Sequence, residues 1–431
     1  MLKVAVVGGG WAGCAAAVEL AGRGTAVTLF EAARSLGGRA RRIEAAGRTL
    51  DNGQHILLGA YAQTLKLMRT VGVDLDRAIL NLPLQMRYPP GGMDFVAPRL
   101  PAPLHLAVAL LRASGLDRED KLAMARFSTT ARWMGWRLDN DCTVAELLVR
   151  YEQTTRLVDL LWRPLCLAAL NTPPETASAQ VFLAVLRDSL GARRKASDML
   201  LPRHDLSALF PDTAARWLAQ HGADLRLSAK ITQIAPHDGG WLLDGEPFDK
   251  VVLAASPVAT AALLAPLPEA APIVAQLSAF HYEPITTCYL QYAQGMHLAR
   301  PFFALEDRPA ANRWGQFVFD RGQLDPAQAG LLAVIISASG EAAALPQPAL
   351  ADTIAAQLAD AFDRPELASP GWTKVITEKR ATYACTAGLA RPANATPLPG
   401  LVLAGDYTAG AYPATLEMAV RSGLAAAKLL R

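Results

Sequence analysis

Three glycines near the start of the chain stand where a pyrophosphate needs them. Gly8-Gly9-Gly10-Trp11-Ala12-Gly13 reads G-x-G-x-x-G, and each glycine has its own mechanical task. Gly8 permits a tight turn, Gly10 removes the side chain where a pyrophosphate would meet backbone, and Gly13 lets a helix pack close on a strand. Trp11 and Ala12 open that helix, so their N–H groups and the positive end of the helix dipole face the anion. Glu31 follows twenty-three positions after Gly8, where its carboxylate can accept hydrogen bonds from an adenosine ribose. The glycine pattern alone is weak. Strand, glycines, helix, strand and acid in register specify a dinucleotide site.

Other residues carry chemistry further along. Gly37-Gly38-Arg39 sets two flexible positions before a guanidinium that could reach the pyrophosphate. In Asp51-Asn52-Gly53-Gln54-His55, after a short strand from Arg48, the imidazole of His55 can give or take a proton near neutral pH. The alternative is that Gln54 and His55 only hydrogen-bond backbone or cofactor. Arg163 is a lone cation among apolar residues of 162–172, either a satisfied core ion or a substrate-site charge. Asp205 suits a helix cap before Pro211. Near the far end, residues 401–404 form an apolar run into Gly405-Asp406, followed by Tyr412-Pro413-Ala414-Thr415-Leu416-Glu417. The five cysteines lie far apart without a C-x-x-C pair, which suits reduced, buried thiols in a cytosolic protein. No metal-ligating cluster is apparent in the spacing.

The elements that must hold these groups follow from periodicity. Residues 2–7 and 26–30 are short apolar runs suited to parallel strands buried on both faces, separated by a helical pattern through Cys14, Ala17, Val18 and Ala21. Residues 100–200 read as mostly helical. Strands are predicted at 225–228, 230–235, 241–243 and 250–255, with Asp238-Gly239-Gly240 as a hairpin turn, and then at 284–292, 314–319, 331–337 and 372–378. A helix is predicted near 349–362. The fold class is α/β: a Rossmann-type dinucleotide domain with an interleaved mixed sheet and a helical substrate domain. The cofactor domain is discontinuous, made of 1–85, 200–268 and 395–431, and 86–199 with 269–394 form the substrate-binding domain.

Composition limits the partners. The 431 residues are 52% hydrophobic and 19% charged, with 42 basic and 39 acidic groups and a net charge of +3. Disorder is excluded by that apolar content. Nucleic-acid binding is not expected, because the basic clusters 39–42 and 193–195 are short and lack interleaved aromatics. The run most like a membrane span, 251–268, is broken by Pro257, Pro266 and Pro268. The apolar start followed by Cys14 imitates a lipoprotein leader, but the glycines at 8–10 would interrupt its core.

Taken together, the G-G-R element and the Gly405-Asp406 terminus resemble the flavin-dependent amine oxidase and phytoene desaturase superfamily. Within it, D-N-G-Q-H at 51–55, P-L-C-L-A-A-L-N-T-P-P at 164–174, L-P-R-x-D-L-S-A-L-F-P at 201–211 and Y-P-A-T-L-E at 412–417 look like the hydroxysqualene dehydroxylase family, the squalene-associated FAD-dependent desaturases. The resemblance spans nearly the whole chain. It implies an FAD-dependent oxidoreductase that reductively converts hydroxysqualene, an isoprenoid lipid, to squalene in squalene and hopanoid biosynthesis. It also implies FAD contacts from Gly38, Gly53, Gln54, Ile231, Gly405 and Leu416, with Asp406 on the ribityl chain and the following helix aimed at the flavin pyrimidine. His55 is the first choice for a catalytic acid and Tyr412 the second. Met418 departs from the family's usual glycine, and Thr415 stands where an amine oxidase would carry a cage tyrosine. A carotenoid-type desaturase and a non-enzymatic prenyl-lipid escort are the alternatives. With one dinucleotide fingerprint, electrons must come from substrate, a redox partner or a reductant bound without that motif. The expected location is cytoplasmic, on the inner face of the membrane if the apolar helix expected at 101–113 dips into lipid; a buried core helix is the competing reading.

Overall fold

A computed structural model describes residues 2–430. Its centre is a five-stranded parallel sheet in the order Asp224–Arg226, Ala26–Phe30, Lys3–Val7, Lys250–Leu253, Leu401–Leu403. These strands are short and apolar because both faces are covered. Val4, Val6 and Val252 point into a core shared with helices Trp11–Ala21 and Leu416–Leu429, while Ala5, Val7, Val251 and Leu253 point into the opposite core. There a three-stranded antiparallel sheet (Ile234–His237, Gly240–Leu243, Glu246–Phe248) sets Phe248 edge-on to Phe30. The Asp238-Gly239 hairpin turn has both residues at positive φ, the conformation of a tight two-residue connection.

The two helices on the first face lie nearly backbone to backbone. A Cβ on Gly423 would stand 2.1 Å from the Ala12 carbonyl oxygen, so only glycine permits that approach. The chain's last helix is thereby held against its first.

A second sheet is antiparallel, in the order Phe302–Ala304, Phe317–Asp320, Leu331–Ser337, Tyr282–Gln291, Trp372–Tyr383. Alternation sorts its side chains. Val318, Val334 and Ile336 pack with helix Gln347–Phe362, and Phe317, Phe319 and Ile335 face the interior of the molecule. Helices Leu104–Arg112, Arg118–Trp133, Val144–Arg150, Arg163–Leu170 and Ala179–Ser189 make residues 100–200 mostly helical, as their periodicity predicts. Asn171 ties it to the second sheet. Its side-chain N–H groups donate to the Glu283 carbonyl at 3.1 Å and to Thr382 at 2.9 Å, and its oxygen accepts from Ala338 N–H at 2.7 Å.

Several predicted strands shift. Residues 230–233 are not a strand, because Asp244 takes the N–H groups of Thr232 and Gln233 and pairing begins only at Ile234. The strand expected from Trp314 starts at Phe317, since Gln357 accepts the Gly315 N–H at 2.8 Å. The last long strand continues past Glu378 to Tyr383, and its pairing shifts register between Glu283 and Ile285. The helix expected over 101–113 spans Leu104–Arg112 and is two-faced: His105 and Ala109 are buried, whereas Leu104 and Leu111 are exposed. Among the described residues no helix is long and apolar enough to cross a membrane, and no cluster of side chains could hold a metal ion.

Candidate active site

The site lies where parallel strands end, the usual place for a ligand in an open α/β sheet. Gly8 N–H donates to the Phe30 carbonyl, Ala254 N–H to Val7 and Ala404 N–H to Leu253, so three crossovers leave the sheet side by side. Gly8 has φ +109°, and a Cβ there would lie 2.5 Å from the Ala254 carbonyl oxygen. The Cβ of any other residue at 13 would meet the Gly8 oxygen at 1.8 Å. Gly10 differs: the nearest atom to its missing Cβ is Gly38 Cα at 4.0 Å, which leaves room for a ligand. Helix Trp11–Ala21 has Gly10 as N-cap, no side-chain cap and no acid in its first turn. Its unpaired N–H groups therefore fit a diphosphate.

Glu31, expected to accept from a ribose, already has backbone partners. One carboxylate oxygen accepts from Gly9 N–H and the other from Ala33 N–H, each at 2.7 Å, so the acid also fixes the glycine turn. Ile231 is half-buried, two residues beyond Ala229, whose N–H donates to the Glu31 carbonyl. It stands outside the walls of the cavity, as do Gly8, Gly13, Glu31 and Gly38.

One cavity of about 390 Å³ contains the remaining predicted residues: Gly10, Trp11, Ala12, Arg39, Gly53, Gln54, His55, Gly405, Asp406, Tyr412 and Leu416. That size suits a small-molecule site. At its polar end Arg39 donates to both oxygens of Asp406, at 2.8 and 2.7 Å, and to the Ala381 carbonyl at 2.6 Å. The sequence reading gave these two charges separate ligand contacts; in the structure they neutralise each other as well. Gly405 is required by the side chain two positions on, because a Cβ there would lie 2.2 Å from the Tyr407 ring. Away from this end the walls are Met86, Phe95, Leu106, Met124, Leu161, Trp162, Phe317 and Ile335.

Titratable groups on the walls are few. His55 Nδ1 lies 2.8 Å from the Gly53 carbonyl; a carbonyl only accepts, so Nδ1 carries the hydrogen and Nε2 is bare when the ring is neutral. Burial lowers the His55 pKa, the Gly53 carbonyl partly opposes this, and the Arg39 charge adds to it. The resting ring is neutral. Tyr412 donates its hydroxyl hydrogen to Asp188 at 2.7 Å, and Arg421 stands 4.4 Å over its ring. Burial, then the bond to Asp188, push the phenol pKa up. Against burial, the Arg187 guanidinium and the Tyr412 hydroxyl hold Asp188 below the ordinary carboxylate range.

Sequence reasoning missed Glu378, Tyr61, Tyr407 and Asn52 on these walls, and Arg321 behind them. Asn52 donates to the Glu378 carboxylate at 3.1 Å. Arg321, fully buried, donates to the Gln54 side-chain oxygen at 3.1 Å. Because a guanidinium only donates, Gln54 must turn its oxygen toward Arg321. Arg163 pairs with Asp307 at 3.5 Å and Glu175 at 3.7 Å, so the satisfied-ion reading fits it. Thr415 caps the closing helix by accepting the Met418 N–H at 3.2 Å. Met418 packs with Tyr412 and Val185, beside Gly410.

Residues 11–431 match the family of flavin containing amine oxidoreductases. The chain belongs to that family. It is an FAD-dependent oxidoreductase of this kind, and the uncapped helix, the space at Gly10 and the Arg39–Asp406 pair fit the cofactor. Among its relatives, a hydroxysqualene dehydroxylase of Rhodopseudomonas palustris is 30% identical over 99% of this chain and 98% of its own length. Another, from Sinorhizobium fredii, is 28% identical over 99% of this chain and 98% of its own length. The fold is similar to that of cyclohexylamine oxidase from Brevibacterium oxydans, with a TM-score of 0.70 at 19% identity, covering 100% of this chain and 98% of the other.

Proposed function

We propose that this flavin oxidoreductase removes the hydroxyl group of hydroxysqualene to give squalene. The observation that carries the reading is one cavity with a dinucleotide end and a long apolar wall, in a chain whose full-length relatives bear that activity's name. Bound FAD, once reduced, supplies the hydride equivalent. Its electron donor is a redox partner, or a reductant bound without a second glycine fingerprint. The N–H groups of Trp11 and Ala12 hold the pyrophosphate, Glu31 the ribose, and Asp406 with Arg39 the central part of the cofactor. Trp162, Phe317 and Ile335 orient the hydrocarbon and keep water from an allylic cation. Loss of the hydroxyl as water needs one proton. His55 gives it in its imidazolium form, which its lowered pKa makes a minority species at neutral pH. The step therefore accelerates as pH falls. Tyr412 is the second choice, since its hydrogen is already committed to Asp188. We place the protein in the cytoplasm, where free thiols such as those of its five cysteines persist.

Anaerobic mixing of reduced enzyme with hydroxysqualene tests the reading, with flavin reoxidation and squalene measured together. His55→Ala should keep its FAD and reoxidise about 10² to 10⁴ times more slowly. A variant with full FAD and wild-type rate would move the acid elsewhere. Reduction of the oxidised wild-type enzyme by a hydrocarbon, with no reaction of hydroxysqualene, would make it a desaturase.

A further inference from the structure

Helices Leu104–Arg112 and Arg118–Trp133 follow one another as a hairpin, and each has a buried and an exposed side. Lys121 near the start of the second donates to the carbonyl of Leu111 near the end of the first, at 3.1 Å. Leu106 and Met124, one from each helix, line the apolar cavity. On the outside, Leu104 is 56% exposed and Leu111, seven residues on and hence on the same face, 75%. The second helix repeats the pattern, with Leu122 at 52% and Trp133 at 89% exposure eleven residues apart, again on one face. Exposed leucines scattered singly are ordinary. Four large apolar side chains on adjacent helices, the most exposed of them a tryptophan, are not.

Charge favours one kind of partner. Residues 99–137 carry seven cations and three acids, a net of +4, against +3 for the entire chain. The rest of the molecule is thus close to neutral, and the excess positive charge lies on the segment that carries these four side chains, with Arg99, Arg112, Arg118, Arg126, Arg132 and Arg137 all exposed. Exposed apolar side chains that include tryptophan, on a segment rich in exposed arginine, match a bilayer surface with anionic headgroups.

We propose that the hairpin 104–133 seats this protein on an anionic lipid surface, inserting Leu104, Leu111, Leu122 and Trp133 while the segment's exposed arginines meet headgroup phosphates. Only the thickness of the hairpin then separates the acyl region from the cavity. This rests on the reading of the cavity as a site for a membrane-dissolved hydrocarbon. Leu106 of the same helix faces the cavity and is not part of the surface.

Full-length holoenzyme is sedimented with sucrose-loaded vesicles of phosphatidylcholine, alone or with about one-third phosphatidylglycerol, at low salt and at about 0.5 M salt. Anionic vesicles at low salt should bind at least tenfold more protein than neutral ones, and high salt should release most of it. Leu111→Ser/Trp133→Ser should lower binding at least tenfold with unchanged FAD absorbance and melting temperature. Arg112→Gln/Arg137→Gln, which leaves the apolar stripe intact, should flatten the salt dependence. Wild-type protein remaining in solution with anionic vesicles, or both double variants binding as wild type, overturns the proposal. So does a wild-type dimer, by light scattering without lipid, that the serine variant converts to monomer, since the covering partner is then a second copy. Binding is read without substrate, so it stands apart from the reaction, which is tested separately in detergent micelles.

Discussion

Arg39 and Asp406 are 367 positions apart in sequence, yet each is the other's principal charge partner. Removing either takes from the other its bidentate partner at the cofactor end of the cavity. Asp406→Ala and Arg39→Ala are each expected to lower the FAD content of purified protein severalfold, read as the ratio of flavin to protein absorbance; full occupancy in both would contradict their role. Asp51 makes a different prediction. Burial pushes its carboxyl up to about 7, although the Leu206 N–H and the nearby Arg321 charge pull it down. A carboxyl whose folded pKa exceeds its unfolded one favours the fold most when protonated. Its contribution is therefore intact below about pH 4 and is lost as pH rises to about 7, on the order of 4 kcal/mol in all. Asp51→Asn keeps the oxygen that accepts from Leu206 without the charge. Its melting temperature relative to wild type should rise between those pH values and level off above them; a constant difference would show that Asp51 titrates normally. Nothing in the sequence marks this carboxyl, because its burial depends on Leu206 and Tyr289, which meet it only in the folded chain.

At the scale of elements, sequence periodicity was most informative where a strand or helix has a purely local reason to exist. Leu331–Ser337 is a continuous apolar run and occurs as expected, as does helix Gln347–Phe362 from near its predicted start. Boundaries moved where a distant side chain captured backbone N–H groups, as Asp244 does at Thr232 and Gln357 at Gly315. The glycine turn was legible for the same local reason, and Arg321 behind Gln54 was not, since 267 positions separate them. The contact of the first and last helices is likewise long-range, and its closest approach is at one residue. Gly423→Val should cost about 1–3 kcal/mol by overpacking against Ala12. Because that contact places Leu416 on the cavity wall, the variant should also lose FAD faster on dilution. A stable variant with wild-type FAD retention would mean that the helices tolerate separation.

For the whole molecule, Asn171 joins the helices of 104–189 to the second sheet. It lies in the left-handed region at φ 49° and uses both ends of its amide to bind three strands' worth of backbone and side chain. Asn171→Ala leaves buried partners unsatisfied and a non-glycine residue in that region. It is expected to destabilise the protein by about 3 kcal/mol, measured by urea unfolding, and an unchanged midpoint would deny it this role. The parallel sheet has a temporal consequence of its own. Lys3–Val7 and Ala26–Phe30 leave the ribosome early, but their neighbours Lys250–Leu253 and Leu401–Leu403 come hundreds of residues later. Asp406, which completes the pair with Arg39, and Gly423, which docks the closing helix, are later still. A nascent chain therefore exposes its glycine turn throughout most of translation with no finished pocket to hold FAD. Cofactor loading is then expected to follow synthesis, and a chain cut short before its last thirty residues, which lacks Asp406 and Gly423, is expected to purify without FAD.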